Sequence, residues 1–63
     1  MTKFTIRKYD GDDELSWAVF KSNDVKGMGN QIFFGEAKPI TSGLSRQSAS
    51  HVRDTLNKKR TKL

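Results

Sequence analysis

Residues 45–59, SRQSASHVRDTLNKK, decide the fold class because they specify a helix at the end of a chain that otherwise looks like strands. Ser45 is a good helix N-cap, since its hydroxyl can accept a hydrogen bond from the N–H of Ser48. Apolar side chains then recur at helical spacing, at Ala49, Val52 and Leu56. We therefore predict a helix over residues 46–59, followed by a short basic tail.

Three upstream segments carry strand patterns. Residues 3–9 alternate between apolar and polar side chains, which is typical of a half-buried strand. Residues 15–21 are rich in β-forming side chains, and residues 31–37 contain the next apolar run. Asp10-Gly11 between the first two segments predicts a hairpin turn, because this pair readily supplies positive φ. Pro39 lacks an N–H, so residues 37–40 should form an edge or leave the sheet.

These elements predict an α+β fold with the order β-β-β-α. A three-stranded antiparallel β-sheet would pack against one C-terminal α-helix, in a single small domain over residues 1–63. One core of this size typically supplies only about 3–5 kcal/mol of net stability. A deep substrate cavity would remove much of that packed material, which favours binding at the surface over catalysis.

The composition restricts the setting of the protein. The chain has no cysteine, which excludes disulfides, thiol catalysis and thiolate metal sites. Small secreted domains usually need such cross-links, so we expect a cytoplasmic location. No apolar run approaches the roughly 18 residues that a membrane span needs, and the N-terminal residues lack the hydrophobic stretch of a signal peptide.

Three sequence features could suggest chemistry, and each favours a simpler interpretation. The acidic run of residues 10–14 lacks the glycine and glutamate positions of an EF-hand loop, so a solvated turn is the better interpretation. His51 has only Asp54 one helical turn away, too little for a metal site or a catalytic triad. The glycines at 27 and 29 precede a strand, whereas a phosphate-binding loop precedes a helix. We therefore predict no enzymatic activity, no metal and no cofactor.

The charge is positive and unevenly distributed. The net charge is +5, with the acidic run near one end and a concentration of cations in the last eighteen residues. Such a distribution favours an anionic partner, although a small domain also carries charge for solubility. The candidate contact residues are Arg7, Lys8, Lys21, Lys26, Phe33, Arg53, Lys58, Lys59 and Arg60.

The sheet supplies a second expectation. One helix covers only one sheet face, so either Trp17 with Val19 or Ala18 with Phe20 should lie on the other face. That face would be exposed unless a loop or a partner covers it. Leu15 and Val19 flank Trp17 at the strand period, so we expect Trp17 to be at least partly core, which makes Phe20 the residue to test for contact.

Four features occur in the order found in AP2-type DNA-binding domains and the similar arm-binding domains of phage-type integrases. They are Trp17-Ala18, Lys26-Gly27, Ile32-Phe33-Phe34-Gly35 and the alanine-bearing helix. The chain resembles these domains over most of its length, and the resemblance implies three strands in the major groove braced by one helix. It also implies DNA contacts from Arg7, Trp17 and Lys21, whereas the acidic run would repel phosphates if it faced them.

Two functions follow from these features. The leading hypothesis is a small DNA- or RNA-binding domain whose basic residues contact phosphates and whose exposed aromatic side chains add stacking contacts. The alternative is a protein-binding module, of the small inhibitor or adaptor kind found in phages and other mobile elements. It would bind an acidic or other protein partner through the uncovered sheet face or an edge strand. A homodimer built through the sheet is compatible with either function.

Overall fold

The computed structural model describes residues 3–61, with side chains as far as residue 58. Strand β1 spans Phe4–Tyr9 and strand β2 spans Trp17–Lys21, after which a short 3-10 helix covers Ser22–Asp24. Strands β3, Gln31–Ile32, and β4, Thr41–Leu44, precede helix α1, which spans Arg46–Thr61. No helix in this described part of the chain is long and apolar enough to cross a membrane.

The α+β class and the C-terminal helix are confirmed, but the sheet differs from the prediction. Four strands lie in the order β3-β1-β2-β4, with β1 antiparallel to β2, β2 antiparallel to β4, and β3 parallel to β1. The prediction of three antiparallel strands ending at residues 31–37 is therefore wrong. The third antiparallel strand is β4, and only the first two residues of the predicted segment are extended.

A turn explains why the predicted third strand stops at Ile32. The Glu36 N–H donates to the Phe33 carbonyl at 3.0 Å, and Gly35 between them adopts φ +95°. This is the geometry of a β-turn that needs positive φ at its third residue. The apolar run from residue 31 therefore bends away from the sheet after Ile32. The chain returns to the sheet beside β2, where the Ile40 N–H donates to the Val19 carbonyl.

The first hairpin forms as predicted, although its second strand begins at Trp17 instead of residue 15. Asp10 takes φ +50° at the end of β1, in the turn that the Asp-Gly pair predicts. The next turn is closed by Ser16, whose N–H donates to the Asp13 carbonyl and whose hydroxyl accepts from the Asp13 N–H. These bonds hold residues 13–15 out of the sheet, and the Ser16 carbonyl accepts the Tyr9 N–H of β1.

Helix α1 begins as predicted. The Ser48 N–H donates to the Ser45 hydroxyl oxygen at 3.2 Å, and the Ala49 N–H donates to the Ser45 carbonyl at 2.8 Å. Ser45 is therefore the N-cap. The helix continues to Thr61, two residues beyond the predicted end.

One sheet face packs against the helix. Because side chains alternate along a strand, Trp17 and Val19 share a face of β2. The guanidinium of Arg46 lies 5.6 Å from the centre of the Trp17 ring, which identifies this face as the helix side. Val19 and the helix residue Ala49 are fully buried, and Trp17 is half-buried. The prediction that Trp17 is partly core is confirmed.

The other sheet face is covered by the chain itself. Ala18 and Phe20 are fully buried there in a cluster with Val25 and Ile32, both from the segment 22–40 that connects β2 to β4. Tyr9 packs edge-on against Phe20, with ring centres 5.7 Å apart. An uncovered sheet face with Phe20 available for contact is therefore wrong, because the parts of this segment on either side of β3 cover it, with Val25 buried in the cluster and Ala37 packed against it.

Both sheet edges are short. β3 contributes only two residues. β4 contains a bulge, because Thr41 and Leu44, three residues apart, pair with Val19 and Trp17, which are two residues apart on β2. Gly43 adopts φ +71° inside this bulge, as expected where an extra residue is inserted. Interrupted edges offer few consecutive peptide groups to an added strand, which disfavours docking by β-augmentation.

Candidate nucleic-acid interface

The first half of β1 lacks a neighbouring strand on one side. The backbone groups of β1 alternate in direction. The N–H groups of Lys8 and Asp10 donate toward the β3 side, whereas the Tyr9 N–H and the Lys3 carbonyl bond toward the β2 side. The backbone groups of Phe4 therefore also face the β3 side, and β3 does not extend far enough to pair with them. Unpaired peptide groups are costly when they lose contact with water, so this edge needs other partners.

Asn57 supplies partners from the helix. Its side-chain oxygen accepts the Phe4 N–H at 2.9 Å, and its side-chain nitrogen donates to the Phe4 carbonyl at 3.3 Å. The amide thus replaces a missing strand residue and joins the last turns of α1 to the start of β1. We call this pair of bonds the Asn57 clamp.

The clamp brings together three lysines from distant parts of the sequence. Phe4 lies opposite Lys21 in the β1–β2 register, Lys3 precedes Phe4, and Lys58 follows Asn57. All three lysines are exposed. We call this group, Lys3, Lys21 and Lys58, the lysine end of the molecule. Two of the predicted contact residues, Lys21 and Lys58, belong to the lysine end.

The helix continues past the lysine end with more basic residues. Lys59 and Arg60 are the next helical positions, and their side chains lie outside the described residues, as does the tail beyond residue 61. The nearest carboxylates along the chain are Asp24, in the 3-10 helix that follows Lys21, and Asp54, one helical turn before Lys58. Positive charge therefore predominates where β1 begins and α1 ends.

The acidic run lies at the opposite end of β1. This group of residues, Asp10, Asp12, Asp13 and Glu14, forms an exposed acidic turn directly after Tyr9. The six residues of β1, at about 3.3 Å each, separate it from the lysine end by roughly 20 Å. That separation is about twice the Debye length at physiological salt, so the acidic turn only weakly offsets the field at the lysines.

Lys8 and Trp17 do not belong to the lysine end. The Lys8 ammonium contacts Asp12 at 2.7 Å and lies 5.8 Å from the centre of the Trp17 ring. The hydrogen bond from Lys8, together with its charge, holds the pKa of Asp12 below its ordinary value. With Arg46 also against the ring, Trp17 carries two cation–π contacts that a stacked base would have to displace.

Two of the three predicted arginines, Arg7 and Arg53, are engaged within the fold. Arg7 donates from one terminal nitrogen to the Thr5 hydroxyl and the Ile6 carbonyl, both at 2.8 Å, and so protects another part of the unpaired β1 edge. The Arg7 Nε is buried without a hydrogen-bond partner, which is unusual for a guanidinium. Arg53 donates to Asp54 and to Ser50 along the helix.

An open cleft of about 520 Å³ adjoins Trp17. Arg7, Lys8 and Arg46 contribute to its lining, together with Asp12. Its cations are therefore already bonded to neighbouring groups or stacked on the indole, as described above. An anion would have to displace these contacts to bind in the cleft.

The last two predicted residues belong to the covering segment 22–40. Lys26 is exposed in the turn after buried Val25. Phe33 is 61% exposed, and it lies beside Tyr9, at the acidic end of the sheet. The structure thus separates Lys21 and Lys58 from the predicted aromatic residue, whereas Lys8 lies at the same end of the sheet as Phe33.

Sequence reasoning missed Lys3, Arg46 and Asn57. A signal for Asn57 was present, because residue 57 falls on the same helical face as Ala49, two turns further on, where an apolar side chain would be expected. A polar amide on a buried stripe indicates a hydrogen bond to the layer beneath it. Nothing in the local pattern identified its partner on β1.

No protein-family model matches the chain, and neither a curated protein nor a solved structure shows detectable similarity to it. Within residues whose side chains are described, no group of three or more histidine, cysteine or carboxylate side chains is placed to hold a metal ion.

Proposed function

We propose that this protein is a non-catalytic domain that binds nucleic acid through the lysine end. The observation that supports this most strongly is the Asn57 clamp, which gathers Lys3, Lys21 and Lys58 from the two ends of the sequence and its middle. A scatter of solubilising charges would not require such convergence.

The separation of charges supports an anionic ligand. Phosphates that approach the lysine end meet several ammonium groups at short range and the acidic turn only across the length of β1. Because the Debye length is about 8 Å at physiological salt, attraction dominates at that end. The acidic turn would in turn orient the domain, since it disfavours any approach that brings its own end to the phosphates.

The contact chemistry favours the backbone of the nucleic acid over its bases. Lysine ammonium groups act as flexible point charges and contact phosphates without fixed geometry. The most exposed aromatic rings, Phe33 and Phe34, lie beside Tyr9 at the opposite end. We therefore propose binding with little sequence preference, in which phosphate contacts supply most of the affinity.

This proposal modifies what the resemblance to AP2-type domains implies. Strands β1, β2 and β4 form an antiparallel meander that leads into the helix, which is the element order of those domains. Residues 22–40, however, cover the face that would enter a groove. We propose that the nucleic acid contacts the lysine end and leaves the covering segment in place.

Salt-dependent binding to mixed-sequence duplex DNA tests the proposal. The test variant is Lys21→Ala with Lys58→Ala. The matched control is Lys38→Ala with Arg46→Ala, which removes the same charge from exposed positions away from the lysine end. On duplex DNA the slope of log affinity against log salt changes by about 0.9 per phosphate contact, so the test variant should lose about 1.8. The control should keep the wild-type slope.

Equal effects of the two variants would show that only net charge matters and would contradict a localised interface. No detectable binding by the wild-type protein at low salt would contradict nucleic-acid binding itself. Circular dichroism of both variants confirms that an altered slope does not come from unfolding, because all four substituted side chains are exposed.

A further inference from the structure

The acidic end of the molecule also presents large apolar side chains to solvent. Phe33 and Phe34 are 61% and 75% exposed, and Leu15 is 62% exposed. Leu15 precedes Ser16, which pairs with Tyr9 from the β2 side, whereas Phe33 follows Ile32, which pairs with Tyr9 from the β3 side. The backbones of Ser16 and Ile32 are thus about two strand spacings, or ~10 Å, apart across the end of β1, and Leu15 and Phe33 are the residues next to them in the chain.

The two phenylalanines are displayed by a well-bonded turn, residues 33–36, which we call the aromatic turn. The Phe33 N–H donates to a Glu36 carboxylate oxygen at 2.8 Å, and the Glu36 N–H donates back to the Phe33 carbonyl at 3.0 Å. The Phe34 ring rests against Tyr9, with centres 5.9 Å apart. A ring held this way loses little conformational entropy when a partner covers it.

The turn chemistry does not require these aromatics. Its second position, occupied by Phe34, is one that proline or a polar residue fills well, and its special conformation is supplied by Gly35. Exposing adjacent phenylalanines costs solubility without stabilising the turn. Clustered exposed aromatics of this kind mark contact surfaces.

The surrounding charge selects the kind of partner. The four exposed carboxylates of the acidic turn follow Tyr9 in the chain, and Glu36 adds a fifth. Two cations face the acidic turn, because Lys8 pairs with Asp12 and Arg46 lines a shallow pocket with Asp12, Asp13 and Glu14. Negative charge is therefore in excess at this end of the sheet. Phosphates and anionic lipid headgroups would be repelled by this border. A symmetric dimer through the same surface would bring two acidic turns together, which is also unfavourable.

We propose that the aromatic turn, Leu15 and the acidic turn form a docking surface for a basic protein segment that presents an apolar side chain between its cations. The apolar side chain would pack on Phe33 and Phe34, and its lysines or arginines would face the carboxylates. The protein would then have two functional ends, one for nucleic acid and one for a protein partner.

Binding of labelled synthetic peptides, followed by fluorescence anisotropy, tests this proposal. The probe is an amphipathic peptide of lysines and leucines. One comparison peptide replaces its lysines with glutamates, and another replaces its leucines with serines. We expect the lysine–leucine peptide to bind, the glutamate–leucine peptide not to bind, and the lysine–serine peptide to bind about tenfold or more weakly, because both charge and apolar contact are needed.

Variants of the protein locate the site. Phe33→Ala should lower the affinity for the lysine–leucine peptide by about tenfold, as is usual for an aromatic anchor. Asp13→Asn with Glu14→Gln should lower the affinity for this peptide at low salt and make the affinity less dependent on salt concentration. Met28→Ala is the matched apolar control and should leave affinity unchanged, as should Lys21→Ala with Lys58→Ala at the other end. Because Phe33 is exposed, its variant should keep the wild-type thermal midpoint.

Three results would overturn the proposal. The first is peptide binding that neither Phe33→Ala nor the Asp13→Asn, Glu14→Gln variant reduces. The second is binding of the glutamate–leucine peptide as tight as that of the lysine–leucine peptide. The third is displacement of the lysine–leucine peptide from the aromatic turn by single-stranded DNA. Concentration-dependent self-association of the free protein that Phe33→Ala abolishes would instead identify a second copy as the occupant, and it too would overturn the proposal. None of these results depends on whether the lysine end binds nucleic acid.

Discussion

Removing the Asn57 clamp should cost a large share of the stability of this small protein. Asn57→Ala deletes two hydrogen bonds, of 2.9 Å and 3.3 Å, to the backbone of Phe4. Each such bond contributes about 1 kcal/mol, and a part-buried peptide group left without a partner adds to the loss. Alanine recovers roughly 0.5 kcal/mol through its helix propensity. We therefore expect a net destabilisation of about 1–2 kcal/mol.

Urea denaturation followed by Trp17 fluorescence measures this change. The matched control is Gln47→Ala, which removes an exposed amide from the same helix and should alter stability by no more than about 0.5 kcal/mol. Asn57→Ala should shift the midpoint without a large change in slope. A midpoint equal to that of the control would show that the clamp does not join α1 to β1, and it would remove the structural basis of the lysine end.

Three further predictions concern the core, the helix and the acidic turn. Phe20→Ala should destabilise the protein by roughly 3–5 kcal/mol in a denaturant melt, because Phe20 is fully buried beneath residues 22–40; a loss below about 1 kcal/mol would mean that the segment does not cover it. Ser45→Ala should cost about 1 kcal/mol by the same measurement, through loss of the N-cap bond to Ser48, and an unchanged midpoint would contradict the cap. Lys8→Gln should raise the pKa of Asp12 toward its ordinary value in an NMR titration, because the hydrogen bond and charge of Lys8 lower that pKa. In the wild-type protein the ion pair stabilises the fold at neutral pH, and this stabilisation is lost as the pH falls through the lowered pKa of Asp12. An unaltered Asp12 titration would contradict the pair.

The predictable parts of the fold were those set by neighbouring residues. The capping hydroxyl of Ser45 and the helical stripe determine where α1 lies, and the alternation of residues 3–9 determines β1. Trp17 was also predicted correctly to be partly core, because Val19 follows it at the strand period and is buried, although Leu15, the other residue used, is exposed in the turn.

The errors came from contacts between distant residues. The segment 31–37 has the composition of a strand, but Gly35 turns it, and the pairing of Ile32 with Tyr9 makes the short strand parallel. β4 was missed because residues 41–44 contain glycine and serine, and its place depends on pairing with β2. Local propensity does not contain that information.

The candidate site was predicted only in its chemistry. Excess positive charge near the end of the chain pointed to an anionic partner, and Lys21 and Lys58 were among the candidates. The grouping depends on the bond between Asn57 and Phe4, which are 53 positions apart, and on the β1–β2 register, which pairs Phe4 with Lys21. Arg7, Lys8 and Arg53 carry the same charge but lie elsewhere in the fold, and composition does not give their location.

Mapping of backbone amide shifts by NMR, as duplex DNA is added at low salt, tests the central claim most directly. We expect the largest changes at Lys3, Lys21 and Lys58, with little change across the acidic turn. The changes should reverse when salt is raised, because phosphate contacts supply the affinity. Changes centred instead on the acidic turn, the aromatic turn or Trp17, or no changes at any residue, would contradict nucleic-acid binding at the lysine end.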